Sequence, residues 1–124
     1  MDFKMASNAP DPEWKKGSAE LLVLSLLEDQ PRHGYDICRS IEVRSGGALR
    51  FHVTSLYPLL HRLEADKVIR AKWDKEGGRP RKWYELTAAG HKRLESQARD
   101  FRLYVECIRQ LLGPVFDQAA PEPA

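Results

Sequence analysis

Cysteine, histidine and long apolar runs are scarce in this chain, and each scarcity excludes something. There are two cysteines in 124 residues, Cys38 and Cys107, far apart and each beside apolar neighbours. That spacing makes neither a disulfide framework nor a zinc knuckle, so both are read as buried thiols in a reducing compartment. The four histidines, His33, His52, His61 and His91, form no His-x-x-x-His pair. With no Cys-x-x-Cys either, no metal site is expected. No glycine-rich phosphate loop follows a strand and no nucleophile elbow is present, so neither an enzyme nor a cofactor is expected. No apolar run approaches the ~18–20 residues of a membrane span. Met1 to Lys16 carries no apolar stretch of the secretory kind. A cytoplasmic protein is therefore expected, and the length suits one domain.

Hydrophobic residues at 42% and charged residues at 31% are ordinary for a soluble domain, and a net charge of +2 looks bland. Its placement is not. Lys67 to Arg93 holds nine basic and three acidic residues, whereas Gly17 to Asp66 holds five and seven. A local basic segment on a near-neutral chain is the footprint of a nucleic-acid face. By charge alone, a merely solvated hairpin fits equally well.

The pattern predicts an α-rich fold with one small β-hairpin. Residues 1–16, with Pro10 and Pro12, read as a flexible arm carrying a lone Trp14. Ser18 is expected to cap a first helix that is apolar almost all round, ending near Asp29 before Pro31. A second helix spans roughly Tyr35 to Ser45 and stops at Gly46-Gly47. Leu49, Phe51 and Val53 alternate, which suggests a brief strand. Ser55 is then expected to cap a helix over 55–66, with Pro58 at its third position, where no N–H is needed. Leu56, Leu59, Leu60 and Leu63 form its buried stripe, and Tyr57, His61 and Arg62 lie opposite. Val68–Asp74 and Lys82–Thr87 read as two strands around a basic tip, Lys75-Glu76-Gly77-Gly78-Arg79-Pro80-Arg81. Thr87 is expected to cap a last helix that Gly113-Pro114 breaks, leaving 114–124 as a tail.

That last helix carries Leu94, Ala98, Phe101, Val105, Ile108 and Leu112 at alternating intervals of four and three. Such an a/d seam on a small domain points to a second copy of the chain. Three helices, a basic hairpin and a long terminal helix together make a winged helix-turn-helix (17–90) followed by a dimerisation helix (91–113).

Four blocks carry a family resemblance: Gly17-Ser18-Ala19-Glu20-Leu21-Leu22-Val23-Leu24, His33-Gly34-Tyr35-Asp36-Ile37, Ser55 to Glu64, and Tyr84-Glu85-Leu86-Thr87-Ala88-Ala89-Gly90. In this order and spacing they resemble the PadR-like transcriptional regulators. The resemblance implies a homodimer bound to double-stranded DNA, usually as a repressor, which a small aromatic molecule releases in many members. It implies a recognition helix over 55–66 in the major groove, with Ser55 and Tyr57 nearest the DNA. DNA-contacting candidates are Thr54, Ser55, Tyr57, His61, Arg62, Tyr35, Lys75, Arg79, Arg81 and Lys82. Tyr35 is expected to pack its ring under the recognition helix while its hydroxyl reaches a phosphate. Many relatives carry a polar wing tip with paired arginines, and this chain has Arg79-Pro80-Arg81 in its place. A ligand pocket would draw on Trp14, Phe101, Tyr104 and Cys107. The alternative is a winged-helix protein-interaction module without sequence-specific DNA binding, in which Glu42, Glu64 and Asp66 would dominate.

Overall fold

The computed structural model describes residues 13–118, with the side chains of 13–17, 76 and 116–118 left aside. The elements run α1 (Glu13–Asp29), β1 (Arg32–His33), α2 (Gly34–Arg44), α3 (Val53–Ala65), β2 (Ile69–Asp74), β3 (Arg81–Leu86) and α4 (Ala88–Gln118). A short 3-10 turn at Glu76–Gly78 joins β2 to β3. The chain divides into two compact units between Leu94 and Glu95.

The first unit is built on the leucine-rich face of α1. Val23, Leu24, Leu26 and Leu27 are buried against Ile37, Cys38 and Ile41 of α2 and Leu56, Leu60 and Leu63 of α3. Each fully buried side chain of this size contributes about 1.5–3 kcal/mol relative to exposure. Burial also pushes the Cys38 thiol up from its ordinary range.

α2 and α3 both end in a left-handed residue followed by paired return bonds. After α2 the residues are Gly46 (φ 65°) and Gly47 (φ 87°), whose N–H groups donate to Val43 and Glu42 carbonyls at 3.1 and 2.8 Å. After α3 the left-handed residue is Lys67 (φ 63°), and Lys67 and Val68 donate to the carbonyls of Glu64 and Leu63.

The sheet has the order β1-β3-β2, all antiparallel. Its central strand, β3, pairs Tyr84 with Ala71 on one side and Arg32 on the other. Two residues of β1 suffice because Arg32 is locked from three directions. Its guanidinium donates to the Leu26 carbonyl (3.2 Å), Ser40 Oγ (3.2 Å) and Asp29 Oδ2 (2.8 Å). Thr87 Oγ1 accepts from the Gly90 N–H at 3.0 Å, which makes Thr87 the cap expected for α4. The same hydroxyl donates to the Lys67 carbonyl at 2.8 Å, tying the start of α4 to the end of α3.

Several boundaries differ from the sequence expectations. α1 is already helical at Glu13, so Ser18 lies inside it and 13–16 are not part of an arm. Residues 1–12 and 119–124 lie outside the described range. Ala48–His52 forms no strand; β1 is the third strand instead. The N-cap of α3 is His52, whose carbonyl accepts from both Ser55 and Leu56 at 3.0 Å. Pro58 is therefore the sixth helical residue rather than the third, and the Thr54 carbonyl lacks its usual i+4 donor. α4 continues through Gly113-Pro114 to Gln118, because a proline removes one helical bond and bends a helix without always ending it. Cys107 is exposed rather than buried.

Candidate nucleic-acid interface

A cleft of about 810 Å³ opens where the first turn of α2, the outer face of α3 and the β2–β3 hairpin meet. The Tyr57 ring lies beside the backbone of Gly34, the first helical residue of α2. A Cβ at Gly34 would lie 3.5 Å from Tyr57 Cε1, ordinary van der Waals contact. Tyr57 stays 43% exposed, and Tyr35, the residue after Gly34 in the first turn of α2, is 64% exposed. Tyr35 thus points its ring outward rather than under α3, since the space beneath α3 is filled by Ile37, Leu56 and Leu60.

Opposite Tyr35 and Tyr57 stand Arg79, Arg81, Lys82 and Trp73, and His61 and Tyr84 also line the cleft. Strand alternation puts Lys82, Tyr84 and the cross-strand Trp73 on one face of the sheet. Arg81 is the first residue of β3 and Lys82 the second, and register places them against Asp74 and Trp73 of β2. Lys82 sits 5.9 Å from the centre of the Trp73 ring and 5.5 Å from that of Tyr84, with Glu64 at 3.6 Å. Its ammonium is therefore partly neutralised. The Tyr84 hydroxyl is held above its ordinary range, chiefly by burial and secondarily by the Glu64 charge and Tyr57.

The cleft brings together Tyr35, Tyr57, His61, Arg79, Arg81 and Lys82. Thr54 and Ser55 do not line it; they are exposed in the first turn of α3. Lys75 is exposed at the start of the wing turn. Arg62 is drawn away from this face by Glu20 of α1, at 3.2 Å. Trp73 and His33 are among the cleft residues that escaped the sequence reading. Trp73 is 66% exposed, although its alternation with Arg70 and Lys72 suggested only a strand. His33 lines the cleft beside Arg81, and its only signal was its place before Gly34-Tyr35.

Of the expected seam, Leu94 belongs to the core of the first unit at 6% exposure. Ala98, Phe101, Val105 and Leu112 are exposed in the second unit, and Ile108 is half-buried. Phe101 and Tyr104, at 46% and 61%, and Cys107 are exposed on α4, while the Trp14 side chain lies outside the described set. Among the described residues no group of three or more metal-ligating side chains comes together. No helix among them is long and apolar enough to cross a membrane.

Comparison with known proteins converges on one family. The profile described as "Transcriptional regulator PadR-like family" matches residues 23–96. The chain is 32% identical over 101 residues to the transcriptional regulator Rv3488 of Mycobacterium tuberculosis, covering 82% of this chain and 89% of that one. It is 38% identical over 108 residues to an uncharacterized 37.1 kDa protein in transposon TN4556 of Streptomyces fradiae. That match covers 87% of this chain but only 28% of the transposon protein. A crystal structure of a PadR family transcriptional regulator from Eggerthella lenta superposes with a TM-score of 0.72. It is 30% identical and is matched over 81% of this chain and 86% of that one. The family is one of DNA-binding transcriptional regulators rather than enzymes, and its winged-helix architecture accounts for the elements described above. The chain belongs to the PadR-like family of transcriptional regulators.

Proposed function

We propose that the chain is a homodimeric transcriptional repressor that reads an inverted-repeat operator in the cytoplasm. The observation carrying this reading is the shared cleft: Tyr35, Tyr57 and His61 on the helical side face Arg79, Arg81 and Lys82 on the wing. A duplex laid across it would place the exposed first turn of α3, with Thr54 and Ser55, at the base edges of the major groove. The wing, 75–82, would then lie along the backbone or the adjacent groove. The phosphates contact donors and the bases contact a small polar turn, which is the division of labour that specific readers use.

Two copies are needed because a single α3 reads one half-site. The exposed residues Ala98, Phe101, Val105 and Leu112 support pairing through α4. Half-site centres would fall about one helical turn, roughly 34–36 Å, apart. A small aromatic effector would lodge beside Phe101, Tyr104 and Cys107, whose exposure on α4 favours that position.

The test is a binding series on duplexes recovered by unbiased selection. Arg79→Ala with Arg81→Ala weakens binding to every sequence and lowers the salt slope by about 1 per phosphate contact removed. Ser55→Ala or Tyr57→Ala changes the preference among sequences instead. Failure of the selection to recover any motif would sink the sequence-specific reading. Absence of duplex binding even at low salt would favour the protein-interaction alternative.

A further inference from the structure

His33 stands at the junction of β1 and α2 and lines the cleft beside Arg81. It is the N-cap of α2, yet its side chain makes no capping bond to the helix. The ring is held from three other directions. Nδ1 lies 2.9 Å from Asp36 Oδ2, Nε2 lies 3.3 Å from Arg81 Nη1, and the ring leans on Trp83 with centroids 4.0 Å apart. Backbone register holds that arrangement, because His33 pairs with Trp83 across β1 and β3.

These contacts admit one arrangement of protons. A guanidinium donates and never accepts, so Nε2 must offer its lone pair to Arg81. The ring proton then sits on Nδ1 and is donated to the Asp36 carboxylate. A neutral imidazole with this tautomer satisfies both neighbours. A doubly protonated ring would turn donor against donor and cation against cation at Arg81, while keeping its bond to Asp36. The other charged or titratable groups around the cleft are Arg79 and Lys82 on the hairpin, His61, Tyr57 and Tyr84, and Tyr35 on α2. The two cations oppose the protonated ring, and Asp36 favours it. Arg81 is the partner free to leave, since it is exposed at the first residue of its strand.

We infer that His33 is a positioning residue for the wing: neutral, it docks Arg81 in the cleft, and protonated, it releases Arg81. The inference rests on reading the cleft as a DNA-contacting surface. Docking leaves the other N–H groups of the guanidinium available to a phosphate and removes the entropy a loose arginine loses on binding. Protonation of the ring therefore loosens the wing from a fixed to a mobile arginine.

Two measurements on the full chain test it. In the free protein, two-bond ¹H–¹⁵N spectra of the His33 ring show the Nδ1–H form at neutral pH, and an Arg81 guanidinium resonance broadens as the ring protonates. An Nε2–H ring, or an Arg81 signal indifferent to that protonation, overturns the proposal. The second measurement is fluorescence anisotropy on a labelled duplex about three helical turns long, roughly 30 base pairs, at constant ionic strength. His33→Gln supplies a carbonyl acceptor that does not titrate, so whatever its affinity at neutral pH, this residue adds no pH dependence to it. Relative to that variant, the wild type loses roughly three- to tenfold in affinity on acidification. His33→Ala weakens neutral-pH binding, by less than Arg81→Ala because the arginine itself remains, and the double variant is no weaker than Arg81→Ala alone. Parallel pH profiles for wild type and His33→Gln overturn the proposal. If no duplex binds under any condition, the DNA reading fails, and the ring spectra still decide whether His33 docks Arg81.

Discussion

Gly90 shows how one side chain's absence closes the domain. It lies in the first turn of α4, where a Cβ would run into the Val68 carbonyl oxygen and approach Leu86 Cδ1 to 2.7 Å. Backbone cannot yield as a flexible side-chain end can. Gly90→Ala is expected to destabilise the first unit by about 2–3 kcal/mol, the scale of overpacking in a well-filled interior. Urea denaturation gives the number, and an unchanged midpoint would refute the close approach. Gly90 was legible as a motif glycine in the first turn, but the sequence did not show what it approaches. Arg32 was not legible at all. Nothing before folding marks an arginine after a proline as the residue that ties the end of α1 to α2 and seats β1. Lys67 is the same kind of case. The left-handed position after α3 is usually a glycine or asparagine, and here a lysine takes it at a cost of about 1–2 kcal/mol.

Element boundaries moved where capping chemistry was read too literally. Thr54 and Ser55 are good cap residues by type, yet the His52 carbonyl already accepts the first helical bonds. The hydroxyls are thereby released from capping and exposed in the first turn of α3. The hairpin was legible because β-type residues alternate on both sides of a glycine-rich tip. Its third strand was not, since two residues carry no periodicity. The hairpin is further held by Glu85, which accepts from Arg70 at 2.7 Å and meets Lys72 at 3.3 Å. Hydrogen bonding from Arg70, then from Lys72, outweighs desolvation and holds the Glu85 carboxyl below its ordinary 4.5. A carboxylate depressed by folding stabilises the native state above its unfolded value and loses that contribution as pH falls through the lowered one. The wild type should therefore lose thermal stability below about pH 4.5 more steeply than Glu85→Gln. Melting curves between neutral and acidic pH check the difference, and parallel curves would remove Glu85 as a contributor.

At the scale of the whole molecule, the exposed face of α4 carries the assembly prediction. Phe101 and Val105, 46% and 39% exposed, are one a/d step apart. Phe101→Asp or Val105→Asp is expected to convert the proposed dimer to a monomer at micromolar concentration, because a charge in the seam is left without a partner. Sedimentation velocity measures it, and a persisting dimer would move the interface elsewhere. Leu94, read as the first seam residue by its spacing, packs into the core of the first unit instead. Periodicity places a residue on a face of its helix, but only the surrounding fold decides whether that face meets its own domain or is left for another copy.

The sequence by itself determined the class of fold, the order of its helices and hairpin, the basic wing and the family. These follow from period, turn chemistry and local charge, which are properties of neighbours in the chain. Tertiary structure decided which candidates share a surface. Tyr35, Tyr57, His61, Arg79, Arg81 and Lys82 meet in one cleft, whereas Glu20 of α1 draws Arg62 off that face. It also placed His33 between Asp36 and Arg81, residues 45 positions apart along the chain. Such meetings are set by the packing of α2 against α3 and by strand register, and no local pattern encodes them.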